Sequence, residues 1–323
     1  MKTPFLWHNG SIKPWAEATV HVSAHALHYG SSVFEGERVY ATPRGPAYFR
    51  LADHTRRFFA SARVYEIEIG YSEEAINAAC LELIRANRMQ SAYVRPLAFR
   101  SADGLSVLAN EGSPVDVVII ALDWGAYHGA AREHGADICV SSWQRPAPNA
   151  VPSWAKAGGH YLNSQLIGME ARRGGYTGGI ALDANGLLCE GACENVFVVK
   201  NGHLFTPPAS AGLLAGITRH SVMTLATTLG IPAEERALPR EALYDADEVF
   251  LTGTAAELTP VRSVDRKPVG AGAPGPVTRA LRDAFFGLFD GTNEDRWGWL
   301  TPVSGAAAPG GTLQAELGRE VAA

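Results

Sequence analysis

Only four cysteines occur in 323 residues, Cys80, Cys139, Cys189 and Cys193, too few and too unevenly spaced to staple a chain of this length, so reduced thiols are expected. Blocks of basic residues are missing as well. Lys and Arg number 28 against 33 Asp and Glu, the formal net charge is −5 and both signs are scattered, which argues against nucleic acid and anionic lipid as partners. Long apolar runs are also lacking. The best, Val117 to Leu122, is far too short to cross a bilayer, and the opening MKTPFLWHNG has no apolar core of a signal peptide, so a cytoplasmic protein is expected. No internal repeat is visible. What is present is ample apolar sequence, 46 % of residues, and a length that favours two domains over one.

The first part opens with FLWHNGSI, in which Asn9-Gly10 supplies the positive φ angles of a tight hairpin turn between apolar flanks. Asp53 is expected to cap a helix through Arg63, and Ser72 a second one in which Ile76, Ala79, Cys80, Leu83 and Ile84 recur at helical spacing. Strand-like runs follow at residues 91–99 and 115–122, so this part reads as a sheet covered by helices. The Gly- and Ala-rich stretch from Ala126 to Glu133 is the expected linker. Beyond it, residues 136–143 read as a strand, RPAPNAVP as an ordered loop and residues 161–173 as a helix stopped by Gly174-Gly175. Asn185-Gly186 and Asn201-Gly202 mark turns among successive antiparallel strands IALD, LLCE, NVFVVK and HLFT. A helix from Thr218 to about Leu229 and a strand at residues 248–252 complete the pattern. The expected fold class is α+β, with a two-layer α/β domain at 1–126, a linker at 127–135, a larger β-rich domain at 136–303 and a mobile tail at 304–323.

Lys156 stands among small residues in AKAGGHYLNS. A lysine drawn out of water loses its preference for the charged form, and the neutral amine is the nucleophile that Schiff-base chemistry requires. Its bland alternative is a loop lysine whose small neighbours permit a turn. Glu190, at the end of a strand, is ordinarily a solvated acid, but opposite a lysine it would hold a proton on a pyridine nitrogen lying between them. Gly216, Ile217 and Thr218 lead into a helix whose free N–H groups and dipole suit a phosphate, and Arg57 is a candidate bidentate cation, although DHTRRF also fits a solvated helix face. Gly253-Thr254-Ala255 forms a second turn with free amides, suited to a carboxylate or simply a bend. Three features are set aside. GAGAPG at residues 270–275 matches a dinucleotide pattern but follows a polar stretch broken by Pro268. Cys189 and Cys193 lack partners at zinc spacing and read as packed thiols, and His25 and His28 read as hydrogen-bonded structural residues, so no metal is expected.

Taken in order, HALHYGSSVFEG, the arginine of DHTRRFFASA, SAYVRPL, DWGAY, AKAGGHYLNS, LDANGLLCEGACENVF, GITR and TGTAAELTP resemble the motifs of the branched-chain aminotransferases, pyridoxal 5'-phosphate enzymes of fold type IV. The resemblance runs from WHNG to WGWL, nearly the whole chain. It implies a pseudo-barrel in the second domain and ping-pong transfer of an amino group from leucine, isoleucine or valine to 2-oxoglutarate. By position it makes Lys156 the cofactor-bearing lysine and proton carrier, and Glu190 the partner of the pyridine nitrogen. Arg57, Ile217 and Thr218, with Thr254 nearby, would hold the phosphate, and Tyr161 would bond the ring hydroxyl. Phe34, Gly36, Tyr93, Arg95, Trp124, Tyr127, Thr254 and Ala255 would line the substrate pocket, with Tyr29 and Val107 arriving from the second subunit of a homodimer. In some bacterial relatives such dimers assemble into hexamers. Arg95 and the Tyr29 hydroxyl would serve the side-chain carboxylate of 2-oxoglutarate within otherwise apolar walls.

Three positions depart from the usual pattern. Glu37 follows FEG where an aliphatic residue is general, His160 replaces the common Asn before Tyr161, and Arg100 stands in RSADGLSV where small or apolar residues are usual. A charge at Glu37 or Arg100 facing the pocket would penalise a leucine-like side chain and favour a polar or unusual donor. Other fold type IV activities stand as the alternative: transamination of D-amino acids or amines, or an aminodeoxychorismate-type lyase using the same lysine. A non-catalytic binding protein of this fold would be expected to lack Lys156 or Glu190, and both are present.

Overall fold

The computed structural model describes residues 3–102, 104–123, 125 and 131–304. Along the chain these form β1 (Phe5–His8), β2 (Ser11–Pro14), α1 (His25–Tyr29), β3 (Ser32–Phe34), β4 (Glu37–Thr42), β5 (Gly45–Phe49), α2 (Leu51–Val64), α3 (Glu73–Ala86), β6 (Ala92–Arg100) and β7 (Val115–Leu122). Then come α4 (Ala131–His134), β8 (Ala136–Val140), α5 (Tyr161–Arg173), β9 (Gly178–Leu182), β10 (Leu188–Gly191), β11 (Asn195–Lys200), β12 (His203–Thr206), α6 (Ile217–Thr228) and β13 (Ala233–Glu235). The last are β14 (Glu248–Gly253), β15 (Glu257–Val264), β16 (Lys267–Pro268), α7 (Pro276–Asp290) and β17 (Leu300–Pro302). The expected tail lies outside the described residues from 305 onward.

One sheet has the order β17-β5-β4-β6-β7-β1-β2 with β3 beside β6, and its pairings are antiparallel. Helices α2 and α3 cover it, burying Phe58, Ile76, Leu83 and Ile84 against Val39, Val94 and Ile119. Ser72 caps α3, accepting from Ala75 N at 3.2 Å. Asp53 does not cap α2. The cap falls on Arg50, whose backbone is left-handed (φ 57°), and Asp53 instead takes the Arg50 guanidinium at 2.6 Å. Residues 300–302, read from sequence as part of the second domain, pair with β5 and so complete the first sheet.

The second sheet is mixed, in the order β10-β9-β8-β15-β14-β11-β12-β13 with β16 beside β15. LLCE and NVFVVK, expected as neighbours, are five places apart in it. Residues 192–194 join them, and three residues span at most about 14 Å from end to end whereas five strand spacings measure about 24 Å, so the sheet must curl to bring β10 back to β11. That curl is the pseudo-barrel. Strand β8 stops at Val140, short of Trp143, because Trp143 N turns back to Ser141 Oγ at 3.0 Å. Part of the expected linker is helical: residues 131–134 form α4, with Glu133 bound by Arg282 at 3.0 Å, while residues 126–130 lie outside the described set.

The glycines of GAGAPG lead into α7, but the end of that helix already holds a carboxylate: Glu248 accepts from Val277 N at 3.0 Å and Thr278 N at 2.7 Å. No further anion is needed there. Among the described residues no helix is long and apolar enough to cross a membrane.

Candidate active site

A cavity of about 230 Å³ lies between the sheets, lined by Phe34, Gly36, Tyr93 and Arg95 from the first and by Glu190, Thr254 and Ala255 from the second. Lys156 reaches it from the loop between β8 and α5, and the loop is sewn to the first sheet. Val33 bridges Ala157, Phe34 N donates to Lys156 O at 3.0 Å, and Lys156 N donates to Ser61 Oγ at 2.9 Å. The neighbouring glycine lets Ser32 approach closely, since a Cβ on Gly158 would stand 2.3 Å from Ser32 Oγ and turn that hydroxyl away. With its backbone held, the Lys156 side chain is half-buried, its Nζ 2.6 Å from the Tyr161 hydroxyl and 5.0 Å from the centre of the Phe34 ring. Burial pushes the ammonium toward the neutral form, but the Tyr161 oxygen and the Glu35 carboxylate outweigh it and the net direction is upward. Burial alone therefore does not supply the neutral amine expected from the sequence.

Glu190, buried on β10, lines the same cavity. Its oxygens take Arg145 Nη2 at 2.9 Å, Leu214 N at 3.1 Å and Asn195 Nδ2 at 3.3 Å. Burial raises its carboxyl above the ordinary range against the pull of Arg145. Gly216, Ile217 and Thr218 also line it and open α6 with no side-chain cap, beside Arg57, which donates through Nη1 to Ala215 O at 2.9 Å. Arg57 is clamped from behind by Glu35, accepting at 2.6 Å from Nε and 2.9 Å from Nη2, and Glu35 also accepts from His54 Nδ1 at 2.7 Å. Burial would raise the Glu35 carboxyl, yet Arg57 and His54 hold it well below the usual carboxylate range. Part of the cavity wall is aromatic and cationic. Phe34 and Tyr161 lie 4.8 Å apart between ring centres, and Arg95 stacks 4.8 Å over Phe34 and donates to the Tyr93 hydroxyl at 2.8 Å.

An uncapped helix end beside a guanidinium, an amine with a phenol, and a buried carboxylate thus share one cavity. The family model for amino-transferase class IV matches residues 32–264. The chain belongs to the class IV aminotransferases. It is 53 % identical over 304 residues to the branched-chain-amino-acid aminotransferase of Salmonella typhimurium, covering 94 % of this chain and 98 % of the relative. The crystal structure of the Escherichia coli branched-chain amino acid aminotransferase superposes with a TM-score of 0.93 at 53 % identity, covering 94 % of this chain and 100 % of that one. The branched-chain amino acid aminotransferase of Thermobaculum terrenum, solved in its PLP-bound holo-form, gives 0.87 at 36 % identity, covering 94 % of this chain and 99 % of that one. The protein is a fold type IV transaminase and uses pyridoxal 5'-phosphate.

The residues present fit that cofactor. Phosphate suits Arg57 and the start of α6, an aldehyde suits Lys156, and a pyridine nitrogen suits Glu190. The cradle is tightly packed: a Cβ on Gly216 would stand 2.0 Å from Asn195 Oδ1 and displace that side chain.

The aminotransferase gathers most residues expected from its sequence: Phe34, Gly36, Arg57, Tyr93, Arg95, Lys156, Tyr161, Glu190, Ile217, Thr218, Thr254 and Ala255 all line the cavity. Tyr29 and Val107 do not; they are exposed on their own chain, where the Tyr29 hydroxyl donates to Leu105 O at 2.6 Å. Trp124 and Tyr127 lie outside the described residues. Of the three unusual positions, two miss the cavity. Glu37 is fully buried in the first sheet's interior near Cys80, where burial and then Glu35 push its carboxyl well up, and it does not line the cavity. Arg100 ties the end of β6 to the carbonyls of Tyr65 and Glu66 at 3.0 and 2.9 Å. His160 does line the cavity, with Nε2 2.6 Å from the Tyr65 hydroxyl and burial lowering its pKa.

Cys193, expected to be packed, is exposed beside Glu194, while Cys189 is buried with Sγ near Ala211 O. His25 and His28 are hydrogen-bonded to Ser31 and Val22 respectively. Sequence reasoning missed Arg145, Asn195 and Glu35. For Asn195 and Glu35 a signal existed, since both sit inside motifs already singled out, ENVF and FEG; Arg145 in a Pro-rich loop offered none.

Proposed function

We infer that the enzyme transfers the amino group of leucine, isoleucine or valine to 2-oxoglutarate, leaving a branched 2-oxo acid and glutamate. The observation that carries this reading is the pairing of an apolar wall, Phe34 with Tyr93, and the Arg95 guanidinium stacked on both rings within one pocket. Such a pocket accepts a branched side chain on the rings and the side-chain carboxylate of glutamate on the guanidinium. The names of the relatives support it, as does the removal of Glu37 and Arg100 from the pocket, which eliminates the reason for expecting a polar donor.

When bound, pyridoxal phosphate supplies an electron sink for the bond between the substrate Cα and its hydrogen. Arg57 and the opening turn of α6 hold the phosphate, with Thr254 near them, and Glu190 keeps a proton on the ring nitrogen. Lys156 Nζ, freed when the substrate amine takes its place, would accept the Cα proton and hold it for return to the cofactor's carbonyl-derived carbon. Tyr161, whose hydroxyl accepts from that nitrogen at 2.6 Å, would steady it and bond the ring hydroxyl.

A homodimer belongs to this reading. Val22, Leu27, Tyr29, Leu105, Val107 and Leu108 are exposed around α1 and the loop after β6, an apolar group suited to a second copy whose cavity would receive Tyr29 and Val107. The sequence boundaries of two domains joined near residues 127–135 and a cytoplasmic location complete the proposal.

The test is glutamate formation from L-leucine and 2-oxoglutarate by the purified holoenzyme. Activity with D-amino acids or amines but not L-leucine, or pyruvate release from aminodeoxychorismate, would favour the other class IV activities. Lys156→Ala should retain at most a trace of turnover, and near-normal rates in that variant would refute the proton-transfer role.

A further inference from the structure

We propose that His160 is a positioning residue for Lys156 and Tyr161, held by Tyr65, which Arg100 braces in turn. The proposal rests on the cofactor-bearing role of Lys156 and gives one joint task to two of the three positions that depart from the family pattern. Lys156 Nζ and the Tyr161 hydroxyl meet at 2.6 Å, yet Gly158 and Gly159 separate the two residues in the chain. Glycine has the widest choice of backbone conformation, so a Gly-Gly joint does not by itself keep so short a contact. Each side of the joint needs its own anchor.

Helix α2 supplies both. Ser61 and Tyr65 are four positions apart, which puts them on one face and about 6 Å from each other along the axis. Before the glycines, Ser61 Oγ accepts from Lys156 N at 2.9 Å. After them, the Tyr65 hydroxyl lies 2.6 Å from His160 Nε2, with the two rings edge to face at 6.0 Å between centres. His160 is the residue on which α5 begins, directly before Tyr161. Burial, and then the Arg145 guanidinium, lower the His160 pKa from the ordinary histidine value, which favours the neutral ring that can accept from a hydroxyl.

Tyr65 stands where α2 ends, and helix ends fray unless their last carbonyls find donors. Arg100 provides them. Its Nη2 donates to Tyr65 O at 3.0 Å and to Glu66 O at 2.9 Å, just where the chain turns left-handed at Glu66 (φ 51°). Three side chains thus run from the end of β6 to the start of α5, and the backbone on both sides of the glycine joint is referred to one rigid helix. Loss of this brace should loosen Tyr161 against Lys156 while Phe34, Tyr93 and Arg95 keep their places. Proton transfer should suffer and substrate binding should not.

The experiment compares holoenzymes carrying His160→Phe, Tyr65→Phe, both together, and His160→Gln with wild type, after melting confirms folding. Each single phenylalanine variant should lower kcat for L-leucine by roughly 10- to 100-fold with KM within about threefold of wild type. The double variant should be no slower than His160→Phe alone, because the two side chains act as one unit. His160→Gln keeps an acceptor for the Tyr65 hydroxyl and should recover most of the loss. A readout independent of turnover is the cofactor absorbance of the resting holoenzyme titrated with pH. Its midpoint reports the Lys156 nitrogen and should move by about half a unit to one unit in both single variants, the equivalent of one hydrogen bond. A rise in KM with kcat unchanged, an unmoved midpoint, or additive losses in the double variant overturns the positioning role. Tyr65→Phe, which removes only a hydroxyl, carries the test if His160→Phe does not fold. Failure of borohydride to fix the cofactor on Lys156 in wild type would instead overturn the role of that lysine, and the proposal with it.

Discussion

Replacing Glu35 with glutamine probes the clamp behind Arg57. The carboxylate is fully buried and accepts from Arg57 Nε and Nη2, from His54 Nδ1 and from Gly36 N at 3.1 Å. Burial lowers the His54 pKa against the pull of Glu35, so Arg57 is the steady cation of the cluster. Glutamine preserves the shape but turns one acceptor into a donor facing other donors and leaves the Arg57 charge without its counter-ion. Removing one partner of a buried pair costs about 3–5 kcal/mol, a large part of the roughly 5–15 kcal/mol that holds a typical protein folded. Urea denaturation of the cofactor-free protein should show that loss. Pyridoxal phosphate brings a new anion to Arg57, so the gap between variant and wild type should narrow on loading. The pH dependence has a fixed sign. The folded pKa of Glu35 lies below its ordinary value of 4.5, so its contribution is complete above that pH and is lost as acid takes the folded carboxylate through its own lower pKa. The wild-type advantage should therefore shrink on acidification. A loss below about 1 kcal/mol at neutral pH, or a gap that widens with cofactor, would refute the reasoning.

Two further substitutions test the cavity. In Gly36→Ala the new Cβ would stand 2.1 Å from the Tyr93 hydroxyl; the ring must move, and KM for leucine should rise at least about tenfold while cofactor affinity stays near wild type, read by titration of absorbance. Arg145→Met removes the cation 2.9 Å from Glu190, leaving burial to raise that carboxyl further; amino-group transfer from leucine should fall roughly 10- to 100-fold, most strongly toward acid pH, and a pH profile parallel to wild type would count against it.

Much of the fold is legible wherever a local rule operates. Ser72 caps the helix it precedes, Asn9-Gly10 turns the first hairpin, and the helix at residues 161–173 ends where its glycines begin. Misreadings arise where tertiary contacts override a local preference. Asp53 looks like a cap, but Arg50 adopts the left-handed conformation and claims the carboxylate. LLCE and NVFVVK look like a hairpin, but the curled sheet separates them in hydrogen-bonding order while the short connection keeps them close in space. Most cavity-facing residues are legible through motifs. Arg145, which holds Glu190, is not, because a partner forty-five positions away in sequence leaves no local pattern. Glu37 reads as a candidate for facing substrate because strand alternation cannot tell a cavity from the covered side of a sheet.

The pairing of β17 with β5 sets how this molecule responds to a nick. Trp299 O accepts from Arg50 N at 2.6 Å and Val303 O from Arg85 at 2.9 Å, so the last described residues are stitched to the opening third of the chain. Severing the backbone once between β7 and β8 would give two fragments that still share a sheet at one end and the Val33 to Ala157 bridge beside the lysine at the other. Proteolysis in that connection would then leave a complex that migrates as the intact species until a denaturant separates the pieces.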